Sequence, residues 1–276
     1  MRWSLLVVIA AACNGTPAGS GGGGGGDDEP AIDAPRPTSD GQPGVRGVFD
    51  PLVTDVTIEI DYEAGAEPYT GQMLGFGDTF DLGVANLDRL FAGKKALTLP
   101  RTTATMENIG AVPDQELTVT DLIALAAAHR SQVDTPTKKT YYVVFVGGHF
   151  TDANGPNPNV LGVSLGGTGV IAMFKDVIRG TGSVALPNVP RYVEQSTLIH
   201  EVAHAVGLVD TGVSMVQPHR DATHGAHCTD DRCVMYWLNE GASDAAAYVQ
   251  QHVLSNNSIL FDAACLADVD ALTGGP

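Results

Sequence analysis

His200, Glu201 and His204 stand in the order His-Glu-x-x-His, followed in register by Gly207 and Asp210. The flanks, Thr197-Leu198-Ile199 and Ala205-Val206, are apolar enough to predict a buried helix. Residues four apart share a helix face, so both imidazoles can reach one cation. Glu201 lies on the adjoining flank, where it can take a proton from water activated at the metal. Gly207 can leave the helix through a left-handed turn, which lets the chain double back with a further donor. Zinc with three protein ligands and one open position lowers the pKa of water to about 7 and polarises carbonyls. The expected chemistry is hydrolysis of a peptide bond, with Glu201 as general base and Zn2+ as cofactor. A bare His-Glu-x-x-His also occurs on solvated helix faces, but burying it without a metal would be costly.

Further along, Cys233-Val234-Met235-Tyr236 and the longer run from His227-Cys228 to Met235 complete a pattern. Together with His200 to Asp210 it resembles the metzincin clan of zinc peptidases. Asp210 stands where the snapalysin branch has Asp as third ligand. His227-Cys228, four residues, then Cys233-x-Met235 resembles the archaemetzincins, in which the His before the Cys is that ligand. The resemblance implies Asp210 or His227 as alternative third ligands and Met235 as the Met-turn residue beneath the metal. It also implies an α+β fold: an upper lobe with a mixed sheet and the zinc helix, and a smaller, loop-rich lower lobe. The chain departs from the archaemetzincins in its 211–226 loop and in lacking their downstream Cys-x-x-Cys. His219 and His224, in that loop, are further donors. A rival arrangement resembles the gluzincins, with Glu240 of Asn239-Glu240-Gly241-Ala242-Ser243-Asp244 as third ligand. Ser243 or Asp244 equally reads as the cap of a helix to about Leu254.

The N-terminus reads as an export signal. Arg2 precedes an apolar run from Trp3 to Ala12, too short to span a bilayer, which ends in Ala10-Ala11-Ala12-Cys13. Small residues before Cys resemble a bacterial lipoprotein box. Residues 1–12 are then the signal and Cys13 the lipidated residue, and the protein sits in the cell envelope; an ordinary secretory signal is the alternative. Residues 13–46, with Gly21 to Gly26, an acidic run and several prolines, read as a tether. Residues 47–276 are left for the catalytic domain. In an oxidising compartment Cys228 and Cys233 are close enough in sequence to pair as a disulfide, with Cys265 left over.

A net charge of −17 argues against nucleic acid or anionic membrane as partner. The expected partner is a protein or peptide substrate, the only membrane contact is the lipid anchor, and the protein is expected to be a monomer. A non-catalytic metal-binding surface lipoprotein is the competing functional class.

The elements that must position these groups follow from periodicity. Val56 to Tyr62 alternates as a half-buried strand. Phe80, Val84, Leu87 and Phe91 have helical spacing, with Gly93 as a stop. Lys95–Leu99 reads as a short strand and Thr120–Arg130 as a helix. Tyr141–Val146 reads as a central strand buried on both faces. Val160–Leu165 and Val170–Phe174 form two more, Pro190 opens the helix to Val206, and Asp262–Leu272 closes the chain. By the resemblance, Gly169–Phe174 is the sheet edge that would take an extended substrate. The oxygen-rich stretch Asp152 to Asn159 is a turn cluster or a structural Ca2+ loop.

Overall fold

The computed structural model describes residues 47–272 apart from 76 and 255–257. The expected signal (1–12), Cys13 and the tether (13–46) lie outside the described residues.

The molecule is mixed α+β. Strand β1 (Asp55–Tyr62) is followed by the two-residue strands β2 (Gln72–Met73) and β3 (Gly77–Asp78), helix α1 (Phe80–Phe91) and strands β4 (Ala96–Thr98), β5 (Glu107–Asn108) and β6 (Glu116–Leu117). Helix α2 (Val119–His129) precedes β7 (Lys138–Val146), β8 (His149–Asp152), β9 (Gly155–Asn157), β10 (Gly162–Leu165) and β11 (Val170–Phe174). Helices α3 (Lys175–Gly180), α4 (Val189–Val206), α5 (Ala242–Tyr248) and α6 (Ala263–Ala271) complete the order.

The main sheet runs β10-β11-β7-β1-β4, with β5 pairing the far end of β1. Its pairings are parallel except β10 with β11, which is antiparallel. β7 is Lys-Lys-Thr-Tyr-Tyr-Val-Val-Phe-Val, and Tyr142 to Val146 are fully buried, as an apolar β-branched and aromatic run in a parallel sheet should be. The α2 terminus is set by a reciprocal capping box between Thr118 and Asp121.

Two expectations change. β11 lies between β10 and β7, so Gly169–Phe174 is internal and the edge is β10. Val-Ile-Ala-Met-Phe carries the signal for this, since it has no polar alternation and every residue is buried. The helix expected from Ser243 or Asp244 begins at Ala242 with Gly241 as its N-cap and no side-chain cap, and continues from Val249 to Val253 as a π-helical turn. The stretch from Asp152 folds into the β8–β9 hairpin, and side-chain oxygens of Asp152 and Asn157 accept backbone N–H groups two residues on. The turn reading accounts for both.

α4 packs against the sheet through β10 and β11, and against α1 on its other side. Its N-terminal half is tied down by Glu194, which is fully buried, pairs with Lys175 and accepts the Tyr69 backbone N–H at 2.6 Å. Lys175 Nζ also sits 3.3 Å from the centre of the Tyr69 ring. The helix that carries the two spaced histidines is thereby fixed to sheet, helix and loop at once.

Candidate metal centre

α4 presents His200 and His204 as its spacing requires. Their Nε2 atoms are 2.9 Å apart, and the Nε2 of His227 comes within 3.2 Å of that of His204. The three residues form one cluster whose donor atoms all lie within 4.8 Å of one another. The chain reaches it by a turn at Gly207, which has φ +94 and closes the helix with its N–H on Ala203 and His204 carbonyls. A Cβ at Gly207 would also stand 3.0 Å from the Gly212 Cα, so the reversal needs glycine twice over.

Asp210 does not join the imidazoles. Val209 and Asp210 both have positive φ, 54 and 63, and the left-handed run turns the exposed Asp210 carboxylate toward Arg220 at 3.7 Å. Of the two expected alternatives, His227 is the one brought to the pair. Glu240, the gluzincin-type alternative, closes a 3-10 turn, Trp237–Glu240. His224 stacks on Trp237 with ring centroids 4.0 Å apart, and its Nδ1 is 2.6 Å from Asp221. Its carbonyl oxygen accepts from His227 Nδ1.

The donor set fits a tetrahedral cation. His200 Nδ1 donates to the Val234 carbonyl at 2.7 Å, and His227 Nδ1 to that of His224. In the neutral state those bonds leave both Nε2 atoms as bare lone pairs. His204 Nε2 faces both, and a single proton there could satisfy only one. Zinc–nitrogen bonds of about 2.0–2.1 Å at tetrahedral angles place nitrogens roughly 3.3 Å apart, close to the spacing found. Burial, and then His200 and His227, push the His204 pKa well below the ordinary imidazole value, which keeps its ring neutral.

Glu201 follows His200 directly and is buried, at 5 % exposure. It lies against β10 at Gly162, where an added Cβ would meet Glu201 Cγ at 3.0 Å, Thr197 Cγ2 at 2.9 Å and the Ala172 carbonyl at 3.2 Å. Met235 is fully buried. Its carbonyl accepts from Cys228 N at 2.8 Å, so the Met235 segment and the His227 segment are joined. Asn239 Nδ2 donates to the Cys233 and Val234 carbonyls at 3.1 and 2.9 Å. Sequence reasoning placed Asn239 only in the gluzincin-like motif and missed that it holds the Val234 carbonyl, because a backbone acceptor leaves no mark on residue type.

The expected Cys228–Cys233 disulfide is not formed; Cys228, Cys233 and Cys265 are free and buried. The Cys233 sulfur faces Cys265 at 3.6 Å, so three sulfurs converge instead of two pairing. His219 stands beside them rather than at the imidazole cluster.

No family model matches the chain, and neither a curated protein nor a solved structure matches it.

Proposed function

We propose that this chain is a zinc-dependent endopeptidase, with His200, His204 and His227 as metal ligands and Glu201 as general base. The observation that carries the reading is the convergence of three imidazole Nε2 atoms at 2.9 and 3.2 Å, with the buried Glu201 next to His200 in the chain. A zinc ion in this nest supplies Lewis acidity, polarising a substrate carbonyl and lowering the pKa of water to about 7. Glu201 takes the proton from the attacking water and returns it to the leaving amine. The carbonyls of Val234 and His224 hold two of the imidazoles in the tautomer that coordinates.

The substrate is a polypeptide in extended form. β10 ends the main sheet, and among the described residues no strand pairs with its outer side. Gly162 of that strand touches Glu201, so a peptide added along the edge would run past the general base. The mixed sheet with one antiparallel edge strand, and α4 packed beneath it, is compatible with the metzincin resemblance. The residue pattern around Cys13 supports export to a bacterial cell envelope with a lipid anchor, full secretion being the alternative.

Glu201→Gln tests the assignment. The variant is expected to keep its metal content and to lose casein hydrolysis by about 10²–10⁴-fold. Wild-type hydrolysis should vanish with chelator and return with zinc. Full activity in Glu201→Gln would remove the assigned base. A metal-loaded wild type without any chelator-sensitive hydrolysis would leave the non-catalytic class standing.

A further inference from the structure

We propose that Cys228, Cys233, Cys265 and His219 form a second, structural zinc site, separate from the three imidazoles. All three cysteines are fully buried and His219 is 7 % exposed. His219 Nδ1 is 3.4 Å from Cys228 Sγ and 4.0 Å from Cys265 Sγ, and Cys233 Sγ is 3.6 Å from Cys265 Sγ. Zinc–sulfur bonds of about 2.3 Å at tetrahedral angles separate two sulfurs by roughly 3.8 Å, and a sulfur and a nitrogen by roughly 3.6 Å. The two nitrogen–sulfur spacings lie on either side of the expected value, the Cys233–Cys265 spacing is slightly shorter than expected, and the donor atoms of His219, Cys228 and Cys265 all lie within 4.8 Å of one another. A disulfide requires sulfurs about 2.05 Å apart.

The surroundings fit ligands rather than inert thiols. His219 Nε2 is 2.6 Å from Asp268 Oδ2, and Asp268 is 1 % exposed. That bond places the ring proton on Nε2 and leaves the Nδ1 lone pair facing the sulfurs, the orientation a carboxylate gives a metal-bound imidazole. Asp268 is itself held by the Val216 N–H at 2.7 Å. The Asp262 N–H approaches Cys233 Sγ at 3.4 Å, as backbone amides do at thiolates. Asp262 Oδ1 caps α6 at the Cys265 N–H, while its Oδ2 lies 3.2 Å from Cys228 Sγ; Asp262 also falls within 4.8 Å of the His219, Cys228 and Cys265 donors, so it competes with Cys233 for the fourth position. Loading the site releases three thiol protons, and the Cys₃His sphere carries a net charge of −1.

The ion has a structural consequence. Cys228 follows His227 in the chain and Cys233 precedes Val234 and Met235. One cation thus clamps the segment that supplies the third imidazole to the segment whose carbonyl orients the first. Cys265 adds α6 and His219 adds the loop.

The test uses the full chain with Cys13→Ser, so that the three buried cysteines are the only thiols. His200→Ala with His204→Ala removes the imidazole site, and the protein is then loaded with cobalt. One cobalt per chain with thiolate-to-cobalt absorption in the near ultraviolet is expected. In the zinc-loaded form the thiols should resist a thiol reagent until a strong chelator is added. Asp268→Asn should lower metal affinity about 10–100-fold with the thiolate absorption retained. Asp262→Asn should leave the absorption unchanged; a weaker sulfur band in wild type, strengthened or lost in Asp262→Asn, would replace one sulfur by this carboxylate and overturn the stated ligand set. Thiols that react in folded, metal-treated protein, absent sulfur absorption, or a non-reduced mass short by two hydrogens would overturn the site itself. Because the readout is made without the imidazoles, it fails or succeeds independently of the peptidase assignment.

Discussion

His200 Nδ1 donates a 2.7 Å hydrogen bond to the Val234 carbonyl, so the segment just before Met235 sets the orientation of an imidazole carried by α4. Asn239 holds that carbonyl from the other side at 2.9 Å and also holds the Cys233 carbonyl. Asn239→Leu removes both donors without touching a metal ligand. Zinc affinity at the imidazole site is expected to drop about 10–100-fold, with the far-ultraviolet spectrum unchanged. Unaltered affinity by competition with a chromophoric chelator would show that His200 needs no such support.

His227 and Asp210 separate cleanly by mutation. Asp210 is exposed and its nearest cation, Arg220, is 3.7 Å away, so Asp210→Ala should change metal affinity and turnover by less than about twofold and stability by under about 0.5 kcal/mol. His227→Ala removes a direct ligand and should abolish both metal retention at that site and hydrolysis. The reverse pattern in a paired metal and activity assay would return the third position to Asp210.

Gly162 is where β10 and α4 come closest. Its absent side chain makes room for Thr197 and Glu201, with contacts at 2.9 and 3.0 Å for any added Cβ. Gly162→Ala is expected to destabilise by about 1–3 kcal/mol through overpacking. Displacement of Glu201 should also lower kcat more than it changes KM, while metal content stays constant. Wild-type urea midpoint and turnover would contradict that contact.

Asp61 supplies a pH dependence remote from the metal centre. Burial, aided by Glu59 and Glu107 and opposed by Tyr142 and the Glu107 N–H, pushes its pKa up to about 6. A folded pKa above the ordinary 3.8 favours the protonated form. The stabilisation is therefore present below about pH 4 and lost as pH rises through about 6. Asp61→Asn should flatten that loss and raise stability at pH 7 by on the order of 2–3 kcal/mol at most. Chemical denaturation at a series of pH values reads this directly, and parallel curves for the two proteins would refute it.

Some of this arrangement was legible in the residues and some was not. Periodicity identifies β1, α1, α2, β7 and α4, because each buries one face or both and shows it in residue type. The pair His200 and His204 follows from the same helical period. The third member of the cluster does not, since His227 reaches the pair through a loop closure 23 residues on from His204, which spacing alone cannot weigh against Asp210. The left-handed φ of Val209 and Asp210 decided that matter, and a β-branched residue gives no warning of such a turn. Cys265 meets Cys233 from α6, 32 residues on, and His219 meets Cys228 from the preceding loop, so sequence proximity pointed to a local disulfide instead. The order β10-β11-β7 was within reach, because the unbroken apolar run of β11 is the mark of an interior strand.

The arc between Gly207 and His219 is fastened at two points, by the Val213 N–H on the Gly207 carbonyl at 2.7 Å and by the Val216 N–H on Asp268. Between and beyond those fasteners, Ser214, Gln217 and Pro218 face outward. Evolution or an engineer could therefore lengthen or recompose this rim, residue by residue, while the imidazole cluster on one side and the sulfur cluster on the other kept their places.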